Sequence, residues 1–169
     1  DATAEDVIAA LVEKELLTPW QARRLRKRRW KDFFLGKYRL LDELGRGGMA
    51  VVYLARHETL QNLVAIKLLA RSRQQKGSSA ERFLREARAA AQISHPNIVR
   101  VFDVDVEEDR QYLVMEYVPG SSLQELVQDQ GPLSYRQAAE FTRQAAAGLA
   151  RAHEKGMVHR DIKPANCVV

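Results

Sequence analysis

Apolar residues recur at helical spacing near the start of the chain. Over Ala4–Leu16 they follow a period close to 3.6 residues, which predicts a short amphipathic helix. A second helix is predicted to begin at Thr18, because Thr18 can cap its amino end and Pro19 suits its first turn. Gln21, three residues after the cap, completes a capping box. Residues 1–31 are therefore expected to form a helical hairpin.

From Tyr38 onward the apolar period changes to two, the repeat of a strand whose side chains alternate between two faces of a sheet. Five short strands are predicted, with one helix after the third. In chain order these elements are Tyr38–Leu44, Ala50–Arg56, Leu63–Leu69, the helix Ser78–Ile93, Val99–Val106 and Tyr112–Val118. Residues 32–37, before the first strand, are expected to be a linker. The predicted fold class is α+β.

Helical spacing returns after the fifth strand. A Pro-Gly pair at 119–120 breaks the strand pattern, and a short helix is predicted over Leu123–Gln128. A longer helix is predicted from Tyr135 to Lys155, with Ser134 as its cap. A polar loop and a short apolar segment follow that helix.

Composition is that of a globular protein. With 46% hydrophobic and 29% charged residues the chain can bury a core, and no apolar run approaches the roughly 18–20 residues of a membrane helix. The first residue is Asp1 rather than Met and no secretory leader follows, which suggests a piece of a longer protein. Cys167 is the only cysteine, so a reducing cytoplasm is the expected location. Tethering to a membrane by a segment beyond Val169 is left open.

The net charge of +5 comes from one short stretch. Seven basic residues lie within 21–31, and without them the net charge would be −2. A solvated helix face is the favoured interpretation, with nucleic acid or an anionic membrane surface as alternatives for residues 21–31. Four aromatic residues flank the stretch and are expected to pack against the neighbouring sheet; they are Trp20, Trp30, Phe33 and Phe34.

Three motifs that carry chemistry follow one another along the chain. A glycine-rich segment over Leu44–Val52 would let the backbone approach phosphate oxygens closely. Lys67 ends Val-Ala-Ile-Lys within an apolar run, where a buried charge needs a partner or a ligand. The third motif, His159–Asn166, reads His-Arg-Asp-Ile-Lys-Pro-Ala-Asn. Each motif alone is weak evidence, but their order makes coincidence improbable.

With these motifs, the chain resembles eukaryotic-type (Hanks-type) serine/threonine protein kinases, most of all the bacterial members, over 38–169. The resemblance implies a small lobe over 38–118, made of a five-stranded antiparallel sheet and one helix. Residues 119–169 would be the hinge and the truncated start of the helical large lobe. The implied activity is ATP-dependent phosphorylation of Ser and Thr hydroxyls of proteins, with ATP and Mg²⁺ required.

The resemblance also implies roles for individual residues. Lys67 would contact the α- and β-phosphates and pair with Glu86, for which Glu81 is the alternative. Ala50 stands where the family usually has its third glycine, and Met115 at the back of the nucleotide pocket. The implied nucleotide-binding residues are Leu44, Gly45, Arg46, Gly47, Gly48, Met49, Ala50, Val52, Ala65, Lys67, Met115, Glu116 and Val118.

In the third motif the resemblance makes Asp161 the base that takes the hydroxyl proton. Lys163 would steady the transferred phosphate and mark a Ser/Thr kinase, and Asn166 would bind the metal. His159 is expected to be a structural hydrogen-bonding residue rather than an acid–base catalyst.

No Asp-Phe-Gly segment or activation loop follows Asn166 within the 169 residues. We therefore expect these residues alone to be inactive. We also expect the apolar side of the long helix to be covered by self-association, by exchange of elements between copies or by a partner chain. Two alternatives stay open: a short non-catalytic protein that binds nucleotide or a partner, and an interaction or nucleic-acid module in the hairpin.

Overall fold

The computed structural model describes residues 2–48, 50–69, 77–108 and 110–169, without the side chains of 77–82 and 86. The chain forms two compact units. The first comprises Asp1–Leu84 with Phe102–Tyr117, and the second Arg85–Val101 with Val118–Val169. Within the described residues, no helix is long and apolar enough to span a bilayer.

Helices and strands follow the predicted order closely. The helices are α1 (Ala4–Glu13), α2 (Pro19–Arg26), α3 (Gly77–Ala91), α4 (Leu123–Gln130) and α5 (Tyr135–Glu154), with 3₁₀ turns at Trp30–Phe33 and Pro164–Asn166. The strands are β1 (Phe34–Leu35), β2 (Tyr38–Arg46), β3 (Ala50–His57), β4 (Leu63–Leu69), β5 (Val101–Glu107) and β6 (Arg110–Glu116). The predicted capping boxes are present at Thr18 and at Ser134.

All six strands form one sheet in the order β1-β2-β3-β4-β6-β5. Five strands were predicted, and the additional one, β1, lies within residues 32–37, which were expected to be a linker. Gly36, at φ +53°, turns β1 back onto β2 so that Leu35 pairs with Tyr38. Leu35 is fully buried, which explains why this short segment joins the sheet.

Cross-strand pairing separates the sheet into two faces, because residues directly opposite one another in a sheet share a face. One face carries Tyr53, which pairs with Ile66, and Val114, which pairs with the same residue. We call this the hairpin face, since Trp20 of α2 joins its core cluster. The opposite face contains Lys67 and is called the Lys67 face.

Hydrogen bonds as well as apolar contacts join α2 to the hairpin face. The Thr18 hydroxyl donates to the carbonyl of Leu41, and Gln21 Nε2 donates to the carbonyl of Leu40 at 2.8 Å. The register of β2 against β3 shifts between Leu40 and Asp42. A bulge of this kind leaves backbone groups without partners in the strand ladder, and here α2 supplies a partner.

In the second unit, α5 packs against the segment that follows α3. A Cβ atom added to Gly148 of α5 would lie 2.9 Å from the carbonyl oxygen of Asn97, so glycine permits this close approach. The Asn97 side chain also donates to Gln144 at 3.1 Å. The segment before α4 pairs with residues 167–169, through bonds that join Ser121 to Val169 and Leu123 to Cys167.

Candidate active site

The glycine-rich segment forms the turn between β2 and β3. Gly47 N donates to the carbonyl oxygen of Ala50 at 2.9 Å, which closes the turn. A Cβ atom at Gly45 or Gly48 would meet no described atom within 4 Å, and at Gly47 only the Ala50 carbonyl, at 3.8 Å. None of these three glycines has a positive φ. Neither packing nor backbone conformation within the described residues therefore requires glycine, and the space beside the turn is open to a ligand.

The other predicted residues of this turn have different surroundings. Leu44 is 46% exposed, at a register shift between Glu43 and Gly45. Arg46 donates to Glu43 through Nε and a terminal nitrogen, both at 2.7 Å, so its side chain has a partner within the protein. Met49, predicted to contact nucleotide, lies outside the described residues.

The Lys67 face brings four predicted nucleotide residues into two adjacent rows. Val52 pairs with Lys67 between β3 and β4. In the next row Ala65 pairs with Met115 of β6. Ala65 is buried and Met115 half-buried, whereas Lys67 is exposed. Val52, Ala65 and Met115 therefore lie near Lys67 on one face of the sheet.

Lys67 is exposed, contrary to the expectation from its sequence. Lys67 was expected to be buried because apolar residues surround it in the sequence. Strand alternation instead places the buried side chain of Ile66 on the hairpin face and Lys67 on the opposite face, where it is exposed. The cost of burying a charge therefore gives no reason for Lys67 to need a partner, and its predicted role rests on its neighbours.

The three remaining predicted residues of the nucleotide site are Glu86, Glu116 and Val118. Glu86 lies on α3, but its side chain is outside the description. Glu116 ends β6 opposite Val64, on the hairpin face, so only its backbone is suited to the nucleotide role. Val118 follows at the start of a segment of the second unit.

The third motif forms a compact loop in the second unit. Asn166 Nδ2 donates both to the carbonyl oxygen of Asp161, at 2.8 Å, and to its carboxylate Oδ2, at 3.0 Å. Lys163 Nζ lies 2.9 Å from the same Oδ2. The amide of Asp161 donates to Nδ1 of His159 at 3.3 Å, which agrees with the structural role expected of His159. The loop therefore brings the side chains of Lys163 and Asn166 to the carboxylate of Asp161.

These contacts stabilise the ionised form of Asp161. The hydrogen bond from Lys163 lowers the pKa of the Asp161 carboxyl, and the bond from Asn166 lowers it further. An Asp carboxyl is ionised at neutral pH in any case, and the lowered pKa extends that ionised range to more acidic pH, so the group can only accept a proton or a hydrogen bond. That is the state a base beside an attacking hydroxyl requires.

The side chain of Asn166 uses only one of its two polar atoms in hydrogen bonds to the described residues. Both of its hydrogen bonds use Nδ2, and Oδ1 accepts no hydrogen bond from any described residue. An amide oxygen is a suitable ligand for Mg²⁺, which usually takes one or two protein oxygens and completes its shell with phosphates and water. The described ranges contain no group of three or more His, Cys, Asp and Glu side chains that could hold a metal ion.

Two other features around these motifs were not predicted. Gly120 has φ +144°, and a Cβ there would clash with the Val169 carbonyl oxygen, so glycine permits this segment to pair with the residues after the loop. The second feature is the pair of hydrogen bonds from Arg46 to Glu43, which the spacing of three residues would have been enough to suggest.

Comparison with known proteins agrees with this arrangement. Residues 38–169 match the protein kinase domain. Serine/threonine-protein kinase PrkC of Bacillus subtilis is 42% identical over 134 residues, which are 79% of this chain and 21% of that protein. Serine/threonine-protein kinase PknB of Mycobacterium leprae is 42% identical over 137 residues, covering 79% of this chain and 22% of the relative.

Solved structures give the same result for the fold. The crystal structure of the Mycobacterium tuberculosis PknI kinase domain superposes with a TM-score of 0.70 at 30% identity. The match covers 80% of this chain and 55% of that one. The chain spans about a fifth of the length of the curated relatives named above.

Proposed function

The chain belongs to the protein kinase family, and we propose that the protein containing it transfers the γ-phosphoryl group of ATP to Ser and Thr hydroxyls of other proteins. The names of the relatives, which are serine/threonine-protein kinases, support this acceptor class. The observation that carries the proposal is the Asp161 carboxylate, contacted by both Lys163 and Asn166 on an exposed loop.

In this proposal Asp161 accepts a hydrogen bond from the acceptor hydroxyl and then its proton. The bond from the hydroxyl oxygen to the γ-phosphorus forms as the bond from that phosphorus to the bridging oxygen of ADP breaks. Lys163 offsets negative charge on the transferred group. Its position 2.9 Å from Asp161 keeps an ammonium group beside the oxygen that orients the acceptor.

The Lys67 face would bind the nucleotide. Val52 and Ala65 offer apolar surface to the adenine ring, and Met115 closes the back of that surface. Backbone groups of Glu116 and Val118 would bond to the edge of the base. Lys67 would neutralise the α- and β-phosphates, and the open glycine turn leaves room for phosphate oxygens beside backbone amides. Glu86 remains the proposed partner of Lys67.

Asn166 would hold Mg²⁺ through Oδ1. The bound ion would offset phosphate charge as it redistributes during transfer. The polypeptide of these 169 residues contains no Asp-Phe-Gly after Asn166 to supply a second ligand. We therefore expect this polypeptide alone to bind ATP weakly and to transfer no phosphate.

The test uses the full-length protein with Mg-ATP and a mixed protein substrate. Lys67→Ala and Asp161→Asn should each reduce phosphate incorporation by about a hundred-fold or more, because each removes charge stabilisation or orientation of the nucleophile. Lys14→Ala, just after α1, and Asp129→Asn, on α4, remove like groups from exposed positions and serve as controls. Rates within a few-fold of the parent for the first two variants would refute the proposal.

A further inference from the structure

Arg46 lies at the end of a chain of contacts that begins on α2. It stands between two glycines of the turn, and both of its bonds to Glu43 measure 2.7 Å. A terminal nitrogen of Arg24, on α2, lies 3.8 Å from Oε2 of the same Glu43. One carboxylate therefore connects the hairpin to the glycine turn.

The contact between Arg24 and Glu43 is more sheltered than most ion pairs of this protein. Their side chains are 16% and 24% exposed, whereas those of Arg26 and Glu5 are 43% and 61% exposed. Water screens a sheltered pair less. The Arg24 guanidinium also lies 4.9 Å from the ring centroid of Trp20. Arg24 is thus held by the Trp20 ring as well as by the carboxylate of Glu43.

A second set of contacts leads from α2 to Arg46. The Trp20 ring meets the edge of the Tyr53 ring, with centroids 5.7 Å apart. Across β2 and β3, Tyr53 pairs with Glu43 and Val51 pairs with Arg46, so these side chains share the hairpin face. Hydrogen bonding to Glu43 raises the pKa of Arg46, and Tyr53 adds to that effect. The Arg46 guanidinium therefore interacts with both Glu43 and Tyr53.

From these contacts we infer that Arg24 and Glu43 are positioning residues for the glycine turn. Through them α2 holds Arg46, and with it the backbone between Gly45 and Gly47, in one conformation. Among the described residues, an added Cβ would meet nothing within 4 Å at Gly45 or Gly48 and only the Ala50 carbonyl oxygen at Gly47, so packing of the described residues does little to order the turn. Ordering it beforehand reduces the entropy lost when phosphate binds, which strengthens nucleotide binding.

Only the nucleotide part of this inference rests on the proposed function, so two readouts are needed. The first is hydrogen exchange of the Gly47 and Gly48 amides in the full-length protein without nucleotide. The second is the Kd for Mg-ATP. Exchange of the β4 amides in the same samples reports global stability.

The variants are Arg24→Gln, Glu43→Gln and their combination. Arg26→Gln is the matched control, because it removes the same charge from the same helix but breaks a pair with Glu5. We expect Arg24→Gln to speed exchange of the turn amides about three- to ten-fold and to raise the Kd by a similar factor. The control should leave both unchanged. The double variant should not exceed Glu43→Gln, since Arg24 acts through Glu43.

Other outcomes overturn the inference. If the turn amides exchange no faster in Arg24→Gln than in the Arg26→Gln control, Arg24 does not order the turn. A parallel rise in exchange at β4 would show a general loss of stability instead. Arg24→Lys, which keeps the charge but not the planar fork, should restore part of the protection if the fold is intact. A parent protein that binds no ATP but shows the exchange response would refute the proposed function alone.

Discussion

The indole ring of Trp20 meets the phenol ring of Tyr53 edge to face, with centroids 5.7 Å apart and ring planes at 67°. Trp20 is 5% exposed and belongs to the same core cluster as the sheet residues. The hairpin is thus part of the first unit's core. The expected packing of the flanking aromatic residues is confirmed for Trp20 and Phe33, while Trp30 and Phe34 are exposed.

We predict that Trp20→Ala lowers the free energy of unfolding by about 3–5 kcal/mol, as truncation of a buried aromatic side chain does in other cores. Trp30→Ala is the matched control, since that ring is 57% exposed, and its effect should stay within about 0.5 kcal/mol. Urea unfolding monitored by circular dichroism measures both. Equal effects of the two substitutions would mean that the hairpin does not contribute to the core.

Deletion of residues 1–31 should lower the melting temperature, because it uncovers the hairpin face and removes the donors to Leu40 and Leu41. Ion pairs with acidic side chains engage four of the basic residues of 21–31: Arg23, Arg24, Arg26 and Arg29. We therefore expect little affinity for oligonucleotides at physiological salt. An unchanged melting temperature together with lost binding to oligonucleotides or acidic vesicles would make the hairpin a separate module.

Gly120→Ala should destabilise the second unit by about 2–4 kcal/mol, since it adds backbone strain to a clash with a carbonyl oxygen. Gly131→Ala is the control: φ is +83° there, but no described atom lies within 4 Å of an added Cβ. Gly131 has ψ −169°, a backbone region adopted almost only by glycine, so strain alone should then cost about 1–3 kcal/mol. Thermal unfolding of both variants separates the two contributions, and a Gly120→Ala protein as stable as Gly131→Ala would contradict the close contact with Val169.

The pKa of Asp161 should lie below the ordinary Asp value of about 3.9. A carboxyl group whose pKa is lowered in the folded state stabilises the fold above the unfolded pKa, and that contribution is lost as pH falls through the folded pKa. Lys163→Gln should raise the pKa of Asp161, because it removes the largest cause of the shift. Carbon NMR of the labelled carboxyl measures it, with Lys155→Gln as a control of equal charge change. A pKa unchanged in Lys163→Gln would contradict the loop geometry.

Local periodicity was sufficient to predict most elements but not the contacts between distant segments. The strand β4 was predicted with its bounds, Leu63–Leu69, because its apolar residues are contiguous and bounded by polar turns. Because those apolar residues are contiguous, the sequence does not show which side chains of β4 face each side of the sheet, and the exposure of Lys67 was missed. The strand β1 has only two residues, too few to show a period, and becomes a strand only through pairing with β2.

For the candidate site, spacing predicted which residues share a motif but not the bonds among them. The loop from Asp161 to Asn166 is short, so its motif already implied proximity. The link from Arg24 to Glu43 spans nineteen positions and depends on how α2 docks, which no local pattern encodes.

The claim that Asp161 orients a Ser or Thr hydroxyl for phosphoryl transfer has one most direct test. Four peptides identical except for a single Ser, Thr, Tyr or Ala are incubated with the full-length protein and γ-labelled ATP. We predict label on the Ser and Thr peptides only, and a loss of about a hundred-fold or more in Asp161→Asn at a Kd for Mg-ATP within a few-fold of the parent. Label on the Tyr peptide, or Ser and Thr labelling by Asp161→Asn at the parental rate, would contradict the account.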